Sequence, residues 1–259
     1  MLKRTFLHLP GVGRRTEAHF WRRGLLFWED FLGVGRLRGF SPERLGRLKR
    51  DLEESLAFLH EPRYFASRLP GEEHWRLWRH YRPRAAYLDI ETTGAGWPGL
   101  LVTVVGLYDG QIFRQFLQGV NLEEFPAALR NFDLLITYNG TQFDLPVLRA
   151  YFPGLVLPPV HLDLRFLLAR LGYRGGLKGI EPQFGITRPP EVAGMDGFMA
   201  VILWEHFQRG DRGALELLLT YNREDVLNLE LLMERAFELY RLRLLERLPG
   251  HPRQTPASL

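Results

Sequence analysis

Apolar positions follow two regimes along the chain. Up to about residue 84 they recur at helical spacing. In SPERLGRLKRDLEESLAFL, Ser41 is placed as an N-cap with Pro42 at the first helical position. Leu45, Leu48, Leu52, Leu56 and Leu59 then repeat every three or four residues, the stripe of an amphipathic helix. GEEHWRLWRHY, residues 71–81, predicts a second helix, and Pro83 in YRPRA marks the end of the region.

The pattern changes at Ala85. AAYLDIE is almost wholly apolar and reads as a buried strand. Residues 100–119, LLVTVVGLYDGQIFRQFLQG, read as two strands about an Asp109-Gly110 turn, a strong hairpin signal. A helix over 121–131, a strand over 133–139, a helix over 142–152 and a short strand over 160–164 follow, and the chain is then mostly helical to 247. Strands first, then strands alternating with helices, predict an α/β fold with a mixed five-stranded sheet flanked by helices. Three regions are expected: a basic helical region over 1–84, a main domain over 85–247, and a disordered tail over 248–259.

Composition excludes several classes. Hydrophobic residues are 46% and charged residues 25%, as in ordinary folded domains. With no cysteine, disulfide scaffolds and thiolate chemistry are ruled out. No apolar run reaches the roughly 20 residues of a membrane span, and MLKRTFLHLPGVGRR lacks the apolar stretch of a secretion signal. A cytoplasmic monomer with no membrane partner is expected; protein partners are not readable. Charge is uneven. Residues 1–84 carry a net +8 and residues 85–259 a net −4, and 31 of the 34 basic residues are arginine. This asymmetry suggests a region for a polyanion beside a site built from carboxylates.

Three groups of residues bear on that site. Asp89 and Glu91 stand at i and i+2 of the first strand and share a face. They are either acids at a solvent-facing strand end or a pair that needs a cation. Asp144 in YNGTQFD falls in the first turn of a helix, where an acid is favoured with or without a metal. Tyr221 and Asp225 share a helical face with Leu218, Leu229 and Leu232. An aspartate within an apolar stripe needs a partner, either an arginine or a metal.

Together, DIE (89–91), NGTQFD (139–144) and YNRED (221–225) resemble the motifs of the DEDD (DnaQ-like) 3′–5′ exonuclease superfamily, tyrosine subtype, of the RNase H fold. YLDIETTG, GGLKGIEPQFGI and the LPGVG segment look closer still to the bacterial YprB-type RNase H-like family. The resemblance covers 85 to about 240 and implies a metal-dependent 3′–5′ exonuclease acting on DNA or RNA with two divalent cations, Mg²⁺ or Mn²⁺. It implies that Asp89 bridges the metals, that Glu91 and Asp225 hold the one carrying the attacking water, that Asp144 supports the other, and that Tyr221 orients the water. Thr92 and the 94–99 loop would touch the terminal nucleotide, and Asn139 the substrate strand. An RNase H-like endonuclease and a noncatalytic nucleic-acid-binding module are the alternatives.

Four further features have double readings. Asp163 is an N-cap of the helix after it or an acid supporting the metal site, and His161 shares that standing, with packing as its alternative. Lys178, one of three lysines, either lies on a packed helix with Leu177, Ile180 and Phe184 or meets a phosphate. Residues 9–25 resemble a helix-hairpin-helix hairpin, in which Gly11 and Gly13 would turn backbone N–H groups toward phosphate beside Arg14 and Arg15. Only eight residues precede Leu9 for its first helix, so an ordinary glycine-rich turn is the other reading.

Overall fold

The computed structural model describes residues 1–94 and 99–246. The expected tail over 248–259 therefore lies outside the described residues, as do residues 95–98 of the 94–99 loop. The chain divides into two compact units, Met1–Tyr81 with Phe237 and the last turns of the final helix, and Arg82–Ala236.

In the first unit the helices are α1 (Arg14–Trp21), α2 (Trp28–Gly33), α3 (Pro42–Ala57), α4 (Pro62–Ala66) and α5 (Trp75–Tyr81). Ser41 caps α3 by accepting the Arg44 N–H, and Leu45, Leu48 and Leu52 are its buried stripe. Phe6, Phe20 and Phe31 form a mutual ring cluster, and Trp28 stacks on Phe65. The first 35 residues thus supply core to this unit. Arg76 is buried and paired with Glu17 at 2.9 Å and Glu73 at 2.7 Å. Ahead of α1 stands only the single 3-10 turn Leu2–Arg4. Gly11 adopts φ +71° in the turn and Gly13 is the N-cap of α1.

His8 gives this unit an expected pH response. Its Nε2 lies 2.9 Å from Ser55 Oγ, its ring packs between Trp28 and Phe65, and Nδ1 is buried with no hydrogen-bond partner. Burial, with Arg68 and Arg76 adding to it, holds the imidazole pKa down to about 3. The unfolded chain titrates near 6.5, so the stability from neutral His8 is complete above that value. It is lost as pH falls from there toward 3, by up to about 1.4 kcal/mol per pH unit. Melting curves from pH 7.5 to 5 should fall more steeply for the wild type than for His8→Gln. Equal slopes would place the acid sensitivity elsewhere.

The second unit begins with the strands β1 (Ala85–Thr92), β2 (Val102–Tyr108) and β3 (Phe113–Leu117). Then come α6 (Phe125–Leu129), β4 (Leu134–Thr137), α7 (Asp144–Tyr151), β5 (Val160–Asp163), α8 (Leu164–Leu171), α9 (Leu177–Ile180), α10 (Gly197–Gln208) and α11 (Arg212–Leu245). The sheet order is β3-β2-β1-β4-β5. The first three strands pair antiparallel, and β1, β4 and β5 run parallel. This is the mixed α/β sheet expected. The turn between β2 and β3 follows from Asp109, whose Oδ1 accepts the N–H groups of Gln111 and Ile112, and from Gly110 at φ +90°.

Period-two alternation in β1 sorts its side chains. Leu88 and Ile90 enter a core with Leu107, Phe116, Phe125, Leu145 and Leu148. Asp89 and Glu91 point to the other face, where Val104 packs with Leu218, Tyr221 and Trp204. Two details of the sheet shape that face. Asp89 is registered opposite Gly106, where a Cβ would lie 2.3 Å from Asn222 Oδ1 and 2.7 Å from Val226 Cγ2. The missing side chain lets α11 lie against the sheet. Pairing of β1 with β4 covers only Ala85–Tyr87, so the two strands part beyond Tyr87 and open a crevice at their carboxyl ends. Among the described residues no helix is long and apolar enough to cross a membrane.

Candidate metal centre

The crevice brings the motif acids together. One oxygen from each of Asp89, Glu91 and Asp225 lies within 4.8 Å of the others. Asp144, at the start of α7, is buried, and its carboxyl lies near enough to the Ile90 N–H and to Asp225 for both to act on its pKa. Asn139, two residues after β4 ends, turns the chain toward α7 by adopting φ +66°. Gly140 completes the turn, since a Cβ there would lie 2.2 Å from Thr137 Oγ1.

The electrostatics are those of acids packed without enough counter-charge. Burial, reinforced by Asp225, Asp144 and Glu91, pushes the Asp89 carboxyl well above its ordinary range. Burial and then Asp225 do the same to Glu91. Asp144 is pushed up to about 7, again chiefly by burial. Hydrogen bonding at Asp89 is weak: Asn222 Nδ2 stands 3.5 Å from its Oδ2. Glu91 Oε1 is buried with no partner. Hard oxygen donors on several carboxylates, one of them orphaned, match a divalent cation such as Mg²⁺.

Asp225 differs from the other acids. Lys178 Nζ donates to its Oδ2 at 2.7 Å, and Arg188 Nη2 stands 2.5 Å from its Oδ1. Lys178 also donates to the Tyr221 hydroxyl and lies 4.2 Å from the centre of that ring. Burial and Asp225 drive the Tyr221 pKa far above its ordinary value, so the phenol keeps its proton throughout the neutral range. Arg188 itself is locked by Glu181, which takes its Nε and Nη2 at 2.6 and 2.5 Å and also accepts from Asn228. Sequence reasoning did not find Arg188, Glu181 or Asn222. Arg188 lies in TRPPEVAG, outside any periodic element, and Asn222 stands between two motif residues without belonging to the pattern.

The remaining candidates fall in distinct places. Lys178 is on α9 beside Leu177 and Ile180, which are buried, and its amine reaches the acids. Asp163 caps α8 through the Arg165 N–H at 3.1 Å, and the same carboxylate accepts from Asn139 N–H and Thr141 N–H. It holds the turn that leads to Asp144. His161 meets Thr137 Oγ1 through Nε2 at 2.9 Å, a contact between β4 and β5. Thr92 ends β1 and is buried. Arg14 is bound by Glu72 and Glu73, whereas Arg15, Gly11 and Gly13 are exposed in the first unit.

Residues 86–237 match the family model described as the RNase_H superfamily, and the chain belongs to that superfamily. Solved structures similar to it include the family B DNA polymerase from the hyperthermophilic archaeon Pyrobaculum calidifontis, with 18% identity, 62% of this chain and 24% of that one covered, and TM-score 0.45. Brucella melitensis NrnC with bound Mg²⁺ is similar at 23% identity over 64% of this chain and 77% of that one, TM-score 0.42. Escherichia coli RNase D, an exoribonuclease involved in structured RNA processing, is similar at 19% identity over 68% and 48%, TM-score 0.42. The chain thus spans about a quarter of the polymerase and about half of RNase D. No curated protein matches it.

Proposed function

We propose that this protein is a metal-dependent 3′–5′ exonuclease that hydrolyses phosphodiester bonds of DNA or RNA by a two-metal mechanism, of the tyrosine subtype. The observation that carries the reading is the gathering of four acids from β1, α7 and α11 in one crevice, Asp89 half-buried and the other three buried, with an orphaned Glu91 oxygen and a protonated tyrosine beside them. Asp89, Glu91, Asp225 and Asp144 would hold the two cations. When bound, such ions neutralise the scissile phosphate and make a water acidic enough to attack near neutral pH. Tyr221 offers a hydrogen bond to position that water and, with its raised pKa, does not act as a base. Lys178, on Tyr221 and Asp225, adds positive charge where the phosphate would arrive.

End-labelled DNA and RNA oligomers incubated with Mg²⁺ or Mn²⁺ test this. A ladder growing from the 3′ end is expected, while discrete internal cuts or intact strands would each sink the reading. Tyr221→Phe keeps the packed ring and removes the hydroxyl. We expect it to retain affinity and to slow single-turnover cleavage by roughly 10- to 1000-fold, the scale of losing one positioned group. Cleavage at the wild-type rate would reduce the tyrosine to a packing residue.

A further inference from the structure

A cavity of about 590 Å³ opens between the end of β4, the first turns of α8 and the chain before α9. Its volume is in the range of small-ligand pockets, roughly 300–1,000 Å³. Tyr138, Asn139, Arg165, Phe166, Arg174 and Leu177 supply its walls. It is built rather than incidental. Asp163 fixes the Asn139–Thr141 backbone, and the Tyr138 hydroxyl donates to the Gly175 carbonyl at 2.7 Å, tying two walls together.

Its chemistry is cationic and aromatic. Arg165 Nη1 is held by the neutral amide oxygens of Asn139 and Gln142, at 2.6 and 3.0 Å, so its position is set while its charge is left uncompensated. Arg174 is exposed, and among the described residues it forms no ion pair with a carboxylate. Phe166 leaves 38% of its surface in solvent, although the other face of α8 buries Leu164, Leu167 and Leu168. A guanidinium pair suits phosphate, and an exposed ring beside it suits an unstacked base. Two of its lining residues adjoin, along the chain, segments that reach the acids. Asn139 begins the turn to Asp144, and Leu177 is followed by Lys178, whose amine contacts Asp225.

We propose that this cavity is a nucleotide-binding subsite, which receives an unpaired nucleotide of the substrate strand next to the reacting one. Phe166 stacks on its base, and Arg165 and Arg174 bind its phosphate. The proposal rests on the nuclease reading for the direction in which the strand runs, but its binding test does not need cleavage.

The test compares Phe166→Ala/Arg174→Ala with the parent protein in two assays. The first measures binding of a fluorescein-labelled ten-residue oligothymidylate and oligouridylate, both proteins carrying Asp89→Asn to prevent cleavage. The double substitution should weaken binding about tenfold or more and flatten the salt dependence by about one charge. The second measures hydrolysis of the p-nitrophenyl ester of thymidine 5′-monophosphate, which is too small to fill both places. Its rate should change less than twofold, so the loss appears in KM for strands and not in kcat for the small ester. Unchanged strand affinity overturns the proposal. A parallel loss on the ester also overturns it, because the cavity then only props up the acid site. If neither protein hydrolyses strand or ester, the nuclease reading falls while weakened strand binding still upholds the subsite.

Discussion

Asp89→Asn should abolish metal-dependent cleavage, by on the order of 1000-fold, and leave the metal-free protein as stable as the wild type or more so. Asp225→Asn should also abolish cleavage but lower stability by about 3 kcal/mol. The two acids share a site and differ in their partners. Asp89 faces other carboxylates, and burial and those charges raise its pKa. A raised carboxylate pKa means that ionisation opposes folding at pH above the unfolded value, so a neutral amide relieves the strain. Asp225 instead sits between Lys178 and the buried Arg188, and its loss takes the only carboxylate from Lys178 among the described ion pairs and one of two from Arg188. Added Mg²⁺ or Mn²⁺ should raise the wild-type melting temperature by linkage to the folded state and do little for either variant. Thermal melts with and without metal, together with single-turnover cleavage, give both readouts. Equal metal-induced shifts in all three proteins would remove the acids from the metal site.

Arg188→Met should destabilise the unit by about 3–5 kcal/mol. It strands two carboxylates that are almost fully buried, Glu181 and Asp225, each now lacking its guanidinium. The pair Arg188→Met/Glu181→Gln should recover part of the loss, because it also removes one of the stranded charges. Urea unfolding of the single and double variants measures this. A single variant as stable as the wild type would show that Arg188 is not structural, and the ion pairs around it would then carry no net stability.

Much of the fold was legible because its signals are local. Asp109-Gly110 marks a hairpin through one side chain and one backbone angle, and Ser41-Pro42 marks a helix start in the same way. The acids of β1 and α11 were legible because a carboxylate in an apolar strand or stripe is costly enough to demand a reason, as in DIE and YNRED, whereas Asp144 was legible only through its place in the motif order. Lys178 appeared only as an ambiguous residue on a packed helix, since nothing local shows that its amine reaches Tyr221 and Asp225. Arg188 was invisible for a stronger reason. Its partners, Glu181 and Asp225, are seven residues before it and thirty-seven after it, and only the folded chain sets them around one guanidinium. The buried Arg76 with Glu17 and Glu73 in the first unit was missed on the same grounds. Asp163 makes the contact of the capping role, and its further contacts go to the backbone of the turn before Asp144.

Gly106 bears on any attempt to move this site to another scaffold. The acids of β1 and the tyrosine and acid of α11 share one crevice because the strand beside Asp89 carries no β-carbon where Asn222 and Val226 come closest. A transplant of the four acids and the tyrosine onto a different sheet would reproduce every side chain of the proposed site and still hold the helix off by the width of a methyl group. The minimal portable unit therefore has a sixth member, a glycine on the neighbouring strand in register with the first acid, which contributes no atom to the chemistry.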